Sequence, residues 1–249
     1  MTSSSTQLVA YHGDEAAKQK ALALIEAHQA ADQIIQGRYW QEDEDGIFRG
    51  CAVGCLLEDP DGGHERYETE FGIPVQLAWL EDGIFEALDA DVAKQWPVRF
   101  MGAIQVGSDL APVWPRFAVW MLTDPTHGLE NVTDKDDIKA VCRQIAAAYE
   151  RIAAGDTLTS DEEQAVTDAA RDARAAWAAW DARAAWAAWD ARAARAAWDA
   201  RDAWDARAAR AARAARAARA AWAAWAARDA RDALVTASSD KLIELLEAA

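Results

Sequence analysis

Apolar residues recur at helical spacing in several separate stretches of the chain, and they predict a mainly α protein. Between Asp14 and Gln36, the residues Ala21, Leu24, Ile25, His28, Ala31 and Ile35 share one face, and Gly37 is the expected stop. His28 lies on that face and reads as a hydrogen-bonded core histidine. Pro74 suits the first turn of a helix that carries Leu77, Leu80, Ile84 and Leu88 inward. Two further helices are expected, one at about 90–105 broken at Trp96-Pro97, the other at about 108–122 with Pro112 and Pro115 near its start. Thr133 reads as the cap of another, whose Ile138, Val141, Cys142, Ile145, Tyr149 and Ile152 form a single stripe. Only Arg38-Tyr-Trp-Gln41 and Gly46-Ile-Phe-Arg49, on either side of the acidic Glu42–Asp45, suggest strands, and they suit a small β-hairpin near 38–50. Residues 1–13 carry no such pattern and read as a disordered terminus.

The pattern changes near Gly155. Ser160 with Glu163 makes a capping box that starts a long helix, so 156–168 is the connector and helix start. From Ala169 to Leu234 the chain is then written in triplets: 66 residues, 22 words, without a slip in register. The first letter is Ala or Asp, the second is always Ala, and the third is Arg or Trp until Leu234 closes the run. Val235–Ser239 reads as a break, and 239–248 as a closing amphipathic helix with Leu242, Ile243, Leu245 and Leu246 to bury.

A period of three has two helical readings. Ala and Arg favour the α-helix, and all 13 glycines and 6 prolines lie at or before Gly155. On an α-helix each triplet steps back about 60°, so the Trp and Arg positions wind around the rod. On a 3₁₀-helix each letter would own one face, with Trp and Arg stacked in a ladder about 6 Å apart. Long 3₁₀ runs are uncommon because their hydrogen bonds are poorer, which favours α. The strict period, for which an α-helix has no geometric need, keeps 3₁₀ a serious alternative. As a straight α-rod the repeat would span about 99 Å, whereas the 168 residues before it would form a domain with a radius of gyration of about 15 Å. Eight Trp along such a rod require cover. The repeat must bend back on its own domain, pair with a second copy or hold a ligand.

Charge divides the chain in the same place. The repeat holds 13 Arg and 8 Asp, a net of +5, and the remainder holds 13 basic and 34 acidic groups, a net of −21. An acidic body does not favour general nucleic-acid binding. Three Cys make no disulfide framework. The residues after Met1 have neither a basic region nor an apolar core, and no run is apolar enough to span a membrane, so a cytoplasmic protein is expected.

Candidate chemistry is sparse. Cys51 and Cys55 stand four apart with His64 and Glu65 nearby, so zinc is weighed, but the spacing fits neither a ribbon nor a finger. Buried packing is the reading preferred for both thiols. His64–Glu70 is rich in acid/base groups and reads as a charged surface segment. No phosphate loop, HExxH or GxSxG occurs, so no catalytic residue and no cofactor is expected. The repeat ladder is the feature with a functional physical reading: Trp177, Trp180, Trp186, Trp189, Trp198, Trp204, Trp222 and Trp225, with Arg183, Arg192, Arg207 and Arg213 among them. Indoles stack on bases while Arg meets phosphate, so single-stranded nucleic acid is one partner class. Arg also stacks on Trp without any ligand. The reading preferred is a structural or protein-interaction role, the repeat packing on its own acidic domain or on a second copy.

Several segments, Gly50-CAVGCL, Tyr67-ETEFGIP, Leu80-EDGIFEAL, Trp96-PVRF, Trp114-PRFAVWMLTDPTHG and Asp240-KLIELL, resemble a family of bacterial and phage proteins. Its members pair an N-terminal domain of this kind with Ala-rich tails spiked with aromatics. The resemblance covers nearly the whole chain and implies a helical domain, 14–155, followed by a repeat, but it brings no activity, cofactor or site residue. Tails in that family vary in repeat length, which suits an α-helix, and the strict triplet here departs from them.

Overall fold

A computed structural model describes residues 8–42, 44, 46–132, 136–168 and 225–249. The described residues are mainly helical, with a small two-stranded antiparallel sheet. Two compact units divide the described chain, the first taking residues up to Phe117 together with Val235–Ala249, the second Ala118–Leu234. The closing segment belongs with the N-terminal body.

The first unit begins sooner than its pattern announces. Ala10–Gly13 is a 3₁₀ turn, and Ala10 and Tyr11 are fully buried. Tyr11 donates its hydroxyl to the Met101 carbonyl at 2.6 Å, and Ala10 and Gly107 exchange backbone bonds with their neighbours across the same joint. Tyr11 and His12 both take positive φ, a costly conformation that the burial of Tyr11 holds in place. Residues 8–13 are thus packed, against the expectation of a loose terminus.

Helix α1 is Glu15–Ala30, capped by the Asp14 side chain. It ends seven residues before Gly37, because Asp32 takes the left-handed position at φ 56°. The Asp32 amide donates to Gln29 and the Gln33 amide to His28, which is the double bond pattern that closes a helix. Past that stop the chain is extended: Ile34 pairs in parallel with Gly50 and is buried, where a longer helix would have buried Ile35. Strands β1, Trp40–Glu42, and β2, Phe48–Gly50, form the expected hairpin in the register Trp40 to Gly50 and Glu42 to Phe48.

Helices α2, Ala52–Leu57, α3, Arg66–Phe71, α4, Val75–Ala87, α5, Ala90–Ala93, and α6, Trp96–Ala103, complete the body. Helix α4 is the hub, touching α2, α3, α5 and α6, and α1 lies across α6 and α2. Leu77, Leu80 and Ile84 are buried along α4 as the spacing predicts. Gly54 lets α2 sit on the hairpin, since a Cβ there would fall on the Tyr39 carbonyl oxygen.

Helix α7, Val113–Thr123, runs from the first unit into the second. In the second unit α8, Asp136–Ala153, buries Ile138 and Cys142 against Leu122 and Leu129. Its expected cap, Thr133, lies outside the described residues. Residues 160–168 are helical and form α9. The capping box that starts α9 is one residue earlier than predicted: the Glu162 amide donates to Thr159 Oγ1 at 3.3 Å, and the Thr159 amide to Glu162 Oε2 at 2.8 Å.

The last helix, α10, is Trp225–Glu247 without interruption, so Val235–Ser239 does not break it. Ser238 and Ser239 are buried, and Ser239 Oγ donates back to the Thr236 carbonyl at 2.8 Å, so the polar run is absorbed inside the helix. The triplets from Trp225 to Leu234 are α-helical; the rest of the repeat lies outside the described residues.

Candidate functional site

Helix α4 carries a carboxyl into the middle of the first unit. Leu77, Ala78, Leu80, Ile84 and Phe85 face inward, and Glu81 stands among them at 0% exposure. Tyr67 of α3, equally buried, donates its hydroxyl to Glu81 Oε2 at 2.6 Å. The Trp96 indole N–H donates to the Glu81 backbone carbonyl at 3.0 Å. Burial raises the Glu81 carboxyl to about 8, the Tyr67 hydrogen bond opposing and the Asp82 charge adding to it. At neutral pH Glu81 is therefore mostly uncharged.

Asp82 extends the cluster outward. Its Oδ2 faces His64 Nε2 at 3.2 Å, and the His64 ring stacks on Trp79 with centroids 3.6 Å apart and planes 13° from parallel. Cys51 caps α2 on the same side of the unit; burial, then the Asp82 charge, push its thiol well above the usual range. Glu81 Oε1 and Asp82 Oδ1 have no hydrogen-bond partner among the described residues.

Cys51, Cys55 and His64 are not brought together as a ligand set. Cys55 Sγ donates to the Gly50 carbonyl at 3.5 Å, while burial pushes its thiol up to about 12. His64 instead pairs with Asp82. Among the described residues no three His, Cys, Asp or Glu side chains are placed to hold a metal ion. Both thiols stay protonated at neutral pH, the form that neither attacks nor ligates. His28 is satisfied on both ring nitrogens, by Gln33 Oε1 at 2.7 Å and Glu58 Oε1 at 3.1 Å.

The cluster that pattern reading missed, Tyr67 with Glu81, had one visible signal. Glu81 follows Leu77 by four and precedes Ile84 by three, so an acid sits on an apolar stripe. Of the repeat ladder, Trp225 opens α10. The other eleven ladder residues, Trp177 to Trp222 and Arg183 to Arg213, lie outside the described residues.

A second feature lies on the surface of the same unit. Helix α6 and the end of α10 flank an open groove of about 550 Å³. Gly102, Ala103 and Ile243 line its floor, and the exposed Asp240, Glu244 and Glu247 line one wall. Arg99 of the facing wall reaches Asp240 at 2.7 Å. No helix among the described residues is long and apolar enough to cross a membrane. None of the protein families, curated proteins or solved structures compared with the chain matches it.

Proposed function

We propose that this is an interaction protein without catalytic chemistry, whose triplet repeat is its contact surface and whose partner is a second copy of the chain. The observation that supports this most is α10. One uninterrupted helix holds repeat triplets at its start and, at its end, Leu242 and Leu246 at 0% exposure. The last triplets of the repeat, up to Leu234, thus share one helix with a core anchor.

From Trp225 backwards the reading extends the α conformation through the repeat. The third letters then step about 60° per triplet and come to lie on every side of the rod. Eight Trp distributed that way, each with about 150–250 Å² to remove from water, favour association over solvation. The repeat's +5 against −21 elsewhere makes two copies electrostatically complementary, the repeat of one meeting the body of another. The bacterial and phage proteins that the chain resembles pair a similar domain with aromatic-spiked Ala-rich tails, and the same reading suits them.

The test is sedimentation of the full chain at low and near-physiological salt, with Trp emission recorded alongside. The expected result is a dimer or larger species with blue-shifted emission, weakened as salt rises. A monomer at all salts, with emission typical of indole in water, overturns the reading. Titration with a single-stranded oligonucleotide checks the alternative: saturable, salt-sensitive quenching in a monomer would make the ladder a nucleic-acid platform.

A further inference from the structure

We propose that the groove between α6 and α10 is the seat on which one copy receives the Arg-bearing repeat of another, specifically the four AAR triplets of residues 208–219. The inference rests on the self-association reading above and adds the surface that it uses.

Spacing carries the argument. Asp240, Glu244 and Glu247 follow one another at i, i+4 and i+7, so their exposed carboxylates form one ridge along α10. Glu244 and Glu247 are separated by about 4.5 Å of helix rise, which is also the rise between consecutive Arg of an α-helical AAR run. Arg210 with Arg213, or Arg213 with Arg216, can therefore face that pair in register. Lys241 reaches Glu244 at 2.7 Å and Arg99 reaches Asp240, while Glu247 pairs with no cation among the described residues. The ridge keeps a net negative charge for an incoming guanidinium.

The floor suits the other letters of the repeat. A Cβ added at Gly102 would meet nothing within 4 Å, so the space above α6 is open. Ala103 and Ile243 present small apolar surface beside it. A helix whose remaining positions are all Ala approaches such a floor closely, as small residues allow. A Trp-bearing triplet in the same place would be too bulky for that approach. Residues 208–219 hold four successive Arg words with no Trp among them.

The test uses the full chain in sedimentation equilibrium, with helical content checked by circular dichroism. Glu244→Arg with Glu247→Arg should weaken self-association at least about tenfold. Mixing that variant with one carrying Arg210→Glu and Arg213→Glu should restore it. Gly102→Phe fills the groove where nothing crowds a side chain, and should weaken association while leaving the monomer folded. If wild type associates and loses this on Arg210→Glu with Arg213→Glu, but the two groove variants associate as wild type does, the groove is the wrong seat and the self-association reading stands. A wild-type monomer overturns both.

Discussion

Tyr67 donates its hydroxyl to Glu81 Oε2 at 2.6 Å, and neither side chain reaches solvent. The bond joins α3 to α4 in the middle of an otherwise apolar layer. It is the one hydrogen bond that the Glu81 carboxyl makes among the described residues, its Oε1 having no partner. A charged carboxylate in that position would be costly, so the native state keeps the proton. This makes the stability of the first unit a function of pH.

The sign follows from the raised value. In the unfolded chain Glu81 ionises at its ordinary value of 4.5, and in the folded protein at about 8. Between those values the folded state holds more protons, so stability is fully present below about 4.5 and falls as pH rises through about 8. Urea midpoints measured from pH 5 to 8.5 should decline steadily. Glu81→Gln, neutral at every pH, should flatten that decline, and an unchanged slope in the variant would exclude Glu81 as its source. Tyr67→Phe should cost about 1–3 kcal/mol at pH 6, because it leaves Glu81 Oε2 buried without its donor.

Two glycines should respond oppositely to the same change. Gly54→Ala drives a methyl into the Tyr39 carbonyl oxygen, and backbone cannot give way cheaply. A loss of about 1–3 kcal/mol is expected from such overpacking. Gly102→Ala places its methyl in open space inside α6, and should gain about 0.5–1 kcal/mol from helix propensity. Thermal or urea unfolding of the two variants checks both signs.

The start of α9 distinguishes two overlapping capping boxes. Thr159→Ala should remove about 1 kcal/mol from the local helix, seen as faster amide exchange at Glu162 and Glu163, whereas Ser160→Ala should leave it unchanged. The Thr159 amide, then Arg151, hold the Glu162 carboxyl down at about 2. The cap is therefore intact above the ordinary 4.5 and is lost as pH falls toward about 2, so exchange protection in this turn should drop in strong acid.

Thiol reactivity gives a further check. Burial raises Cys51, takes Cys55 to about 12 and takes Cys142 to about 11. At pH 8 a disulfide reagent should label none of the three Cys of the native protein, and all three once it is unfolded. Fast labelling of Cys51 in the native state would contradict its burial beside Asp82.

Local physics settled much of this protein from the chain alone. Period and propensity placed α4 and α8, the two short segments around the acidic turn marked the hairpin, and the triplets from Trp225 to Leu234 are α-helical as Ala and Arg favour. Tertiary contact decided what local rules left degenerate. Asp32 could end α1 in place of a glycine because Lys94 binds its carboxylate at 2.6 Å and His28 holds Gln33. Thr159 prevailed over Ser160 as the cap because Arg151 pairs with Glu162 at 2.7 Å, an ion pair that only the fold brings together. Tyr11 is buried under α6 by a bond spanning 90 residues, and no pattern in eight flanking residues encodes that. The serines before Asp240 stayed helical because the helix had core to occupy on their own face. Spacing along the chain reports which side of an element is apolar; which carboxyl finds a hydroxyl or a guanidinium depends on groups far away in sequence, and that is where the buried pair of Tyr67 and Glu81 came from.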